Sequence, residues 1–410
     1  MRGILIVGDG MADRPLQELG FKTPIEAANA QAMNRLAYRG ALGLLDPIAP
    51  GVVPGSDAAN LALLGYDPGL ACGGRGSFEA VGVGLDVREG DLAFRCNFVA
   101  VDDDLCLVDE RAGRVCDVDA KVLGECVGQV RLKVHSDVEL FFKQSLGFKA
   151  ALVLRGEGLS SNVSMSLPSV GGLAAAVRPL DDSFEAKRTA GVLNEFVELS
   201  NQVLNVHPVN VRRRVANLMP ANAVLPWGGG SCGLPGLVSF GVKYGLSASC
   251  VAAVGLVKGI GLLCGMDVVD VLGATGERDT DTLAKAEAVL SAFRGGRDFV
   301  YVHVEAADEA SHDGDVVGKV GVIKKIDLLL GRILDCVDLS DTVIVLVPDH
   351  ATSCVSRRHL CDAVPICFAG GNVVSDGVTV FSERSAHMGG LNHIRGIDVM
   401  PMLLRYMGRI

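Results

Sequence analysis

The apolar residues of this chain recur in short runs, separated by segments with a helical period. The run 343–347 holds five apolar residues, four of them β-branched, which predicts a strand buried on both faces. Pro348 has no N–H to give a sheet and ends this strand, so Asp349 and His350 follow at its carboxyl end. Open α/β sheets bind their ligands at the carboxyl ends of the strands. Asp349 and His350 are therefore the first candidate functional residues.

Runs of the same kind recur towards both ends of the chain and alternate with helical patterns. Strands are predicted at 4–7, 42–48, 299–304 and 343–347. Helices are predicted at 24–40, 281–293 and 317–336. Apolar strands that alternate with helices predict an α/β fold, in which a parallel sheet is flanked by helices.

The pattern changes between these two parts, beginning at a cluster of glycines at 73–76. Shorter strands are predicted there at 92–98, 105–108, 130–134 and 150–154, and helices at 184–204 and 248–263. This is an α+β pattern, and it predicts a second domain inserted into the first. We expect the first domain to comprise 1–72 and 275–410, and the inserted domain to comprise 73–274.

Composition and charge limit the classes of function. The chain has 410 residues, enough for two domains, and a net charge of −10 without a long basic run, so nucleic acid is not expected as its main partner. Twelve cysteines are scattered without a C-x-x-C pair, as in reduced cytosolic proteins. The longest apolar helical run, 251–264, contains Lys258 and is too short to span a bilayer. We therefore expect a cytoplasmic protein without a membrane segment.

The first strand runs into a glycine-rich turn that carries a second acidic group. Gly8, Asp9 and Gly10 begin like a dinucleotide-binding motif, but Asp13 stands where the third glycine would be. Its carboxylate would repel a pyrophosphate, so we exclude that motif. What remains is Asp9 at the end of a strand.

Further segments end in side chains that bind metals. Asp308 and His312 are spaced i and i+4, so that one helical turn would direct both to one point. His359 follows His350 by nine residues, and Ser56 opens a predicted helix after a glycine. The full candidate set is Asp9, Ser56, Asp308, His312, Asp349, His350 and His359. Mixed His and Asp ligands suit Mn²⁺ or Zn²⁺, and seven side chains are too many for one ion and about right for two.

Each of these groups has a plain structural alternative. Ser56 could cap the helix that it opens, as serine often does, and an i,i+4 Asp–His pair is common on helix surfaces. A single histidine is more often a core or surface residue than a ligand. We therefore give no role to His135, His207, His303 and His393. The convergence of five separate segments nevertheless favours a metal site.

The order of these motifs resembles that of the alkaline phosphatase superfamily, and more narrowly the archaeal-type cofactor-independent phosphoglycerate mutases. The shared motifs are the early Asp-Gly, Gly-Ser-Asp at 55–57, D-E-A-x-H at 308–312, D-H-A-T at 349–352 and a later His before Val-Pro. Further family-like stretches lie at 64–68, 74–76, 78–80, 93–98, 273–276 and 303–305. The resemblance covers nearly the whole chain.

The resemblance implies an alkaline-phosphatase-like core, an inserted substrate domain acting as a lid, and a glycolytic isomerase. Ser56 would take the phosphoryl group from 3-phosphoglycerate and return it to the 2-hydroxyl. One divalent ion would be held by Asp9, Ser56, Asp349 and His350, and the other by Asp308, His312 and His359. Mn²⁺ is expected first, with Mg²⁺, Co²⁺ or Zn²⁺ as alternatives and no requirement for 2,3-bisphosphoglycerate. The expected partner is the small phosphorylated substrate, and a homo-oligomer is an open expectation.

The part that should hold the substrate departs from the family pattern. Ser164 and Ser166 stand where the family has carboxylates, and Trp227 stands where it has an arginine. We expect four substrate-binding residues, Lys258, Arg155, Arg212 and Arg214; Lys258 could also be a surface lysine on an apolar helix. Two alternatives stay open: a related phosphotransferase or phosphohydrolase for another substrate, such as a homoserine kinase-like enzyme, and a non-catalytic metal-binding paralogue.

Overall fold

The computed structural model describes residues 1–166, 168, 170–174, 177–231 and 236–410. The chain forms two compact units. The first comprises Met1–Ala71 and Leu237–Ile410, and the second comprises Cys72–Gly236.

The strands and helices of the described residues are as follows, in chain order. The strands are β1 (Arg2–Gly8), β2 (Gly40–Asp46), β3 (Leu92–Val101), β4 (Leu107–Asp109), β5 (Glu139–Gln144), β6 (Lys149–Arg155), β7 (Ala223–Ser231), β8 (Ala248–Val251), β9 (Asp267–Val268), β10 (Phe299–Val304), β11 (Thr342–Val347), β12 (Ala351–Thr352), β13 (His359–Leu360), β14 (Val364–Ala369) and β15 (His393–Arg395). The helices are α1 (Pro24–Ala28), α2 (Gln31–Tyr38), α3 (Ser56–Leu63), α4 (Arg75–Gly82), α5 (Asp117–Val127), α6 (Phe184–Asn205), α7 (Pro208–Val215), α8 (Phe240–Tyr244), α9 (Gly255–Leu263), α10 (Thr282–Arg294), α11 (Ala306–Asp313), α12 (Val316–Leu334), α13 (Glu383–Ala386) and α14 (Val399–Tyr406). Short 3₁₀ turns lie at Gln17–Leu19, Pro68–Gly73 and Gly396–Asp398. None of these described helices is both long and apolar enough to cross a membrane.

The core of the first unit is an eight-stranded sheet with the order β15-β2-β14-β11-β1-β10-β8-β9. β1 lies between β11 and β10 and is parallel to both, so that Ile6 is paired with Leu346 on one side and Val302 on the other. β14 runs antiparallel to its neighbours β11 and β2. The predicted α/β class with a mainly parallel sheet is therefore confirmed.

Burial explains why these runs of the sequence become strands inside the sheet. Every residue of β10, β11 and β14 is buried, as expected for strands that helices cover. α10 packs on β10 and β8 and also contacts α12. The helix α12 directs Leu329, Leu330 and Ile333 into the core, where each is fully buried.

The second unit contains a separate antiparallel sheet. Its strands follow the order β4-β3-β6-β5, and β7 also pairs with β3. Phe94 and Phe98 of β3, Leu152 of β6 and Phe196 of α6 belong to one buried cluster. This unit has the α+β pattern that the sequence predicts for the inserted region.

The end of the inserted region differs from the sequence-based boundary. We predicted residue 274 as its last residue, whereas the second unit ends at Gly236. The predicted helix 248–263 is in fact the strand β8 followed by the helix α9, and β8 pairs in parallel with β10 in the main sheet. A short apolar run fits a strand and a helix equally well, so only the pairing partner reveals which it is.

Two other predicted elements also differ from the structure. The helix predicted at 24–40 is divided into α1 and α2, because Asn29 adopts a left-handed conformation with φ 49° that ends α1. The strand predicted at 130–134 is absent from that described segment. There the N–H groups of Lys133 and Val134 donate to the side chain of Glu195, which takes the place of a strand partner.

Candidate metal centre

Three neighbouring strands of the first unit deliver the candidate ligands. β11, β1 and β10 lie side by side in that order. Asp9 directly follows β1, and Asp349 and His350 follow β11 after one proline. Asp308 lies in the first turn of α11, which begins just after β10. Because parallel strands end at the same edge of a sheet, residues far apart in sequence meet there.

These side chains are buried and close to one another. Asp349 and His350 are fully buried, and Asp9 is 1% exposed. His350 Nε2 lies 3.1 Å from Asp9 Oδ1 and 3.7 Å from Asp349 Oδ2. These three residues offer ligand atoms within 4.8 Å of one another, and Asp308, His350 and His359 do the same. Buried carboxylates at this density require compensating charge or protons.

Hydrogen bonding determines which nitrogen of His350 carries the proton. Nδ1 lies 3.0 Å from the hydroxyl oxygen of Thr352, and that hydroxyl donates its one proton to Asp308 at 2.7 Å. Thr352 can therefore only accept from His350, so Nδ1 bears the N–H. The lone pair lies at Nε2, which is 3.2 Å from Ser56 Oγ and 3.1 Å from Asp9 Oδ1.

The other two candidate histidines are oriented in the same way. His312 Nδ1 lies 2.9 Å from the carbonyl of Arg357, and His359 Nδ1 lies 2.9 Å from the carbonyl of Pro54. A carbonyl only accepts, so both rings donate from Nδ1 and present a lone pair at Nε2. These two Nε2 atoms lie 3.3 and 3.6 Å from carboxylate oxygens of Asp308.

Three imidazole lone pairs therefore face carboxylate oxygens, so that a hydrogen-bond acceptor meets another acceptor in each contact. This arrangement is repulsive unless a cation or an additional proton lies between the groups. Histidines that bind metals almost always donate their other N–H to an oxygen of the protein, as these three do. The residues present fit divalent cations bound by imidazole nitrogen and carboxylate oxygen.

The pKa shifts of three of these side chains also fit a site for divalent cations. Burial, with the neighbouring charge of Asp9, raises the pKa of Asp349 to about 7. Burial also raises the pKa of Asp9 well above its usual range. Burial, with the charge of His350, lowers the pKa of His359 to about 4. The protein alone thus favours a protonated carboxyl at Asp9 and Asp349 and a neutral ring at His359. Asp308 differs: although burial opposes it, the hydrogen bond with His312 and the neighbouring imidazoles hold its pKa well below the usual range. A bound cation would displace the carboxyl protons of Asp9 and Asp349.

Ser56 begins α3 and directs its hydroxyl at the same place. Gly55 occupies the N-cap position and no side chain caps the helix, so the capping role considered for Ser56 is wrong. Its Oγ is instead 3.2 Å from His350 Nε2. One turn later, Asn60 donates to the carbonyl of Ser56 at 2.7 Å and to Asp349 Oδ2 at 2.9 Å. The start of the helix is thereby joined to the end of β11.

Gly10 allows the loop after β1 to pass close to the other ligands. Its φ is +59°, and a Cβ there would lie 2.6 Å from Asp308 Oδ1 and 2.7 Å from Thr352 Oγ1. Its N–H donates to Asp349 Oδ1 at 3.2 Å. A side chain at this position would disrupt the hydrogen bond that orients His350, which accounts for the glycine without any nucleotide.

A buried lysine joins the loop after β1 to the loop after β11. Lys319 of α12 is fully buried, and its Nζ donates to the carbonyl of Ala12 at 3.0 Å and to that of Thr352 at 2.6 Å. It also lies 3.4 Å from Asp13 Oδ2. One side chain thus joins the loop after β1 to the loop after β11.

The predicted substrate-binding residues each have a different partner. Lys258 lies on α9 in the first unit, outside the second unit, and pairs with Asp270 at 2.7 Å. The predicted arginines belong to the second unit and have different partners. These contacts are Arg155 with Asp91 at 2.8 Å, Arg212 with Asp119 at 3.3 Å, and Arg214 with the carbonyl of Asn205 at 2.7 Å. The structure does not bring the three guanidinium groups to a common partner.

Trp227, which replaces the arginine of the family pattern, lies beside two other arginines. The guanidinium carbons of Arg95 and Arg75 are 4.8 and 5.7 Å from its ring centroid. Glu79 lies 3.4 Å from the first and 3.9 Å from the second, and the indole N–H donates to Asn97 at 3.1 Å. Two guanidinium groups thus accompany one carboxylate beside the indole.

Sequence reasoning missed four buried residues of the centre: Asn60, Thr352, Glu305 and His303. His303 was given no role, yet it is fully buried in β10 with Nε2 3.3 Å from Asp9 Oδ2. The sequence signal that could have revealed His303 is a histidine within an otherwise apolar strand. Asn60 and Thr352 follow predicted ligands by one turn and by two residues, but their bonds join distant segments that sequence does not connect.

Known proteins resemble this chain over its whole length. Residues 37–210 match the family model described as 2,3-bisphosphoglycerate-independent phosphoglycerate mutase. An enzyme of that name from Methanothermobacter thermautotrophicus is 45% identical over 410 residues, which cover 100% of this chain and 98% of the relative. Another from Methanosphaera stadtmanae is 44% identical, with 98% of this chain and 97% of the relative covered.

Two solved structures share the fold. A cofactor-independent phosphoglycerate mutase from Thermoplasma acidophilum superimposes with a TM-score of 0.62 at 32% identity, covering 100% of both chains. A protein from Pyrococcus horikoshii superimposes with a TM-score of 0.82 at 36% identity, covering 100% of this chain and 98% of the other.

Proposed function

Because this chain belongs to the archaeal-type 2,3-bisphosphoglycerate-independent phosphoglycerate mutases, a family of isomerases, we propose that it interconverts 3-phosphoglycerate and 2-phosphoglycerate through a phosphoserine at Ser56. The observation that carries this proposal is the position of the Ser56 hydroxyl. It is 5% exposed as a residue, begins a helix, and lies 3.2 Å from the lone-pair nitrogen of His350. A capping role alone would not explain a serine hydroxyl directed at His350.

Two sets of side chains would hold two divalent ions, with Mn²⁺ expected first. The first set is Asp9, Ser56, Asp349 and His350, and the second is Asp308, His312 and His359. When bound, such ions lower the pKa of a coordinated hydroxyl and neutralise phosphoryl oxygens. His350 lies at the junction, since its ligand atom is within 4.8 Å of those of Asp308 and His359.

The side chains of this site supply the nucleophile and its orientation. Ser56 Oγ forms a bond to phosphorus while the bond from phosphorus to the 3-oxygen of the substrate breaks. The serine proton is balanced by protonation of the leaving 3-oxygen. The 2-hydroxyl of the retained glycerate then takes the phosphoryl group, and its proton restores the serine hydroxyl, so no water is consumed. Asn60 holds the backbone of Ser56 and the carboxylate of Asp349 in fixed relation, and the N-terminus of α3 favours the negative charge of the phosphoryl group.

Cationic groups must also hold the carboxylate of the glycerate. Arg155, Arg212 and Arg214 of the second unit stay the predicted candidates for this task. Arg75 and Arg95 are two further guanidinium groups of that unit, both beside one indole and 3.9 and 3.4 Å from the Glu79 carboxylate. Trp227 would orient them through contacts between guanidinium and ring. Lys258 stays a candidate contact for the phosphate.

The test follows two products in one sample. Purified protein is incubated with 3-phosphoglycerate and Mn²⁺, and both 2-phosphoglycerate and free phosphate are measured. We expect 2-phosphoglycerate without matching phosphate, and a covalent phosphoryl group on a peptide containing Ser56. Ser56→Ala should abolish isomerisation and the phosphopeptide, because alanine has no hydroxyl to accept the phosphoryl group.

The matched control is Ser239→Ala, a serine that begins α8 in the same unit and caps it. It should lose about 0.5–2 kcal/mol of stability and keep turnover. Free phosphate without 2-phosphoglycerate would instead establish a phosphohydrolase. A phosphopeptide that persists in Ser56→Ala would exclude Ser56 as the acceptor.

We further propose that the enzyme works in the cytoplasm on small phosphorylated acids. Free thiols within the cores of both units support this, among them Cys96, Cys250 and Cys367, because oxidising compartments favour pairing. The net charge of −10 suits neither a nucleic acid nor an anionic membrane surface as partner. A homo-oligomer stays a prediction.

A further inference from the structure

A buried tyrosine of the central sheet is bonded to the helix that carries Ser56, and the proposed function does not use it. Tyr301 of β10 is fully buried, and its hydroxyl lies 2.5 Å from Asn60 Oδ1. We propose that Tyr301 is a positioning residue, which orients Ser56 and Asp349 through the side chain of Asn60. This inference rests on the proposed function, because it assigns a further residue to the same reaction.

The partners of Asn60 determine the direction of each hydrogen bond. Its side-chain nitrogen lies 2.7 Å from the carbonyl of Ser56 and 2.9 Å from Asp349 Oδ2. A carbonyl oxygen only accepts, so the nitrogen end of the amide must face Ser56 and the oxygen end must face Tyr301. The amide oxygen also only accepts, and the phenol is therefore the donor.

The phenol keeps its proton for this bond. Burial raises the pKa of Tyr301 well above its usual range, so the hydroxyl stays protonated throughout the neutral range. Asn60 is itself fully buried, and each end of its amide has a partner. The amide therefore has one satisfied orientation, and the tyrosine hydroxyl determines it.

The sheet provides a rigid base for this contact. β10 lies between β1 and β8, and Tyr301 is paired with Leu5 on one side and with Cys250 on the other. Core strands of this kind open at a high free-energy cost, whereas loops and helix ends open locally. Ser56 stands at the start of a helix, and Asp349 stands in the loop after β11. Asn60 and Tyr301 thus connect two more mobile groups to the centre of the sheet.

The hydroxyl of Tyr301 could instead serve stability alone, because a buried phenol needs a hydrogen-bond partner. Tyr244 offers a matched comparison. This partly buried tyrosine ends α8, and its hydroxyl donates to the carbonyl of Leu64 at 3.0 Å, where α3 ends. The two tyrosines therefore bond opposite ends of one helix, and of the two, Tyr301 bonds the end that carries Ser56.

The test compares Tyr301→Phe with Tyr244→Phe in the full-length protein at saturating Mn²⁺. We expect Tyr301→Phe to lower kcat for 3-phosphoglycerate about tenfold to a hundredfold and to keep KM within about twofold, because misplaced reacting groups slow the chemical step. Tyr244→Phe should keep both constants. Asn60→Ala should lower kcat as well, and adding Tyr301→Phe to it should cause no further loss, because both changes break the same connection.

Hydrogen exchange provides a measurement that needs no substrate. In the protein loaded with Mn²⁺, Tyr301→Phe should increase amide exchange in the peptide spanning 55–60, and Tyr244→Phe should not. This separates the inference from the proposed function. A wild-type protein that forms no 2-phosphoglycerate would refute the proposed function alone, and the exchange data would still decide whether Tyr301 orders the start of α3.

Three results would overturn the proposal: an unchanged kcat in Tyr301→Phe, an equal loss of kcat in both tyrosine variants, or losses that multiply when Tyr301→Phe is combined with Asn60→Ala. If Tyr301→Phe fails to fold by circular dichroism, Asn60→Ala tests the same hydrogen bond from its other side. Wild-type turnover in that variant would overturn the proposal as well.

Discussion

The direction of the imidazole protons determines how the site responds to pH. His350, His312 and His359 each commit Nδ1 to an oxygen of the protein and leave Nε2 as a lone pair. His359 is already neutral above pH of about 4, because burial lowers its pKa. Asp349 differs, since burial raises its pKa to about 7. Acid sensitivity should therefore arise from the carboxyl groups, from Asp349 near neutrality and also from Asp9, whose pKa burial raises well above its usual range.

We predict that Mn²⁺ binding releases a proton from Asp349 at pH 6 and not at pH 8.5. The carboxylate must be ionised to bind, and in the metal-free protein it is mostly protonated below its pKa of about 7. The affinity should thus decline about tenfold for each pH unit below 7 and level off above it. Calorimetric titration in buffers of different ionisation enthalpy measures the released protons.

Two aspartate variants serve this prediction. Asp349→Asn should lose the additional release at pH 6. Asp298→Asn in the same unit should keep it, because hydrogen bonds from Ser247 lower the pKa of Asp298 and leave it ionised at both values. Equal proton release at pH 6 and 8.5 in the wild type would contradict the role of Asp349.

At this scale, position relative to a strand end was enough to predict that Asp9, Asp349 and His350 lie close together; their role as metal ligands stays a prediction. Asp9, Asp349 and His350 follow apolar runs directly, and this local pattern is visible in the sequence. The roles of Asn60 and His303 were not, because they depend on partners hundreds of residues away, such as the bond between Asn60 and Asp349. Arg155 was predicted as a substrate ligand, but sequence does not reveal its pairing with Asp91.

Among the elements, α12 covers the sheet and also joins two loops that carry candidate ligands. Its Lys319 donates to carbonyls in the loops after β1 and β11, and these loops carry Asp9 and Asp349. The buried ion pair with Asp13 anchors the lysine itself. The spacing of the candidate metal ligands therefore depends on a helix that contributes no candidate ligand.

We predict that Lys319→Met destabilises the metal-free protein by about 3–5 kcal/mol, because it leaves the Asp13 carboxylate buried and unpaired. It should also weaken Mn²⁺ binding, since the two ligand loops lose their common donor. Urea unfolding and dialysis measure the two effects. Lys324→Met is the control on the same helix; that lysine is exposed, and its change should stay within about 0.5 kcal/mol.

A second substitution sharpens this test. Asp13→Asn combined with Lys319→Met should recover part of the loss, because the unpaired buried charge is removed together with its partner. Equal stability of Lys319→Met and Lys324→Met would refute the role of α12.

Elements with a complete hydrophobic period or a long apolar run were predictable, and the exceptions have physical causes. β10, β11 and α6 lie close to their predicted bounds. Residues 130–134 alternate like a strand, but their N–H groups are satisfied by Glu195. Residues 248–251 read as the start of a helix, and only parallel pairing with β10 makes them a strand.

On the scale of the whole molecule, the candidate metal ligands and the second hydrophobic core belong to different units. All candidate ligands lie in Met1–Ala71 or Leu237–Ile410, whereas Cys72–Gly236 has its own buried clusters. Loss of metal should therefore affect the two units unequally.

We predict that a chelator increases amide hydrogen exchange in the loops after β1, β10 and β11 and leaves β3 and β6 unchanged. Removing the cations restores repulsion between buried carboxylates and lone pairs in the first unit only. Mass spectrometry of peptides after exchange, with and without Mn²⁺, measures this. Asp349→Asn without chelator should reproduce part of the pattern. A similar increase in β3 or β6 would show that the units do not respond separately.

The place of β1 in the sheet has a consequence for synthesis on the ribosome. Gly3 is paired with Phe299 and Val343, 296 and 340 residues further along the chain. At about 5–20 residues per second, this apolar strand waits roughly 15–60 s for its neighbours, while all of Cys72–Gly236 has already emerged. The inserted unit can thus complete its own core first, and the nascent enzyme needs protection of β1 until translation is nearly finished.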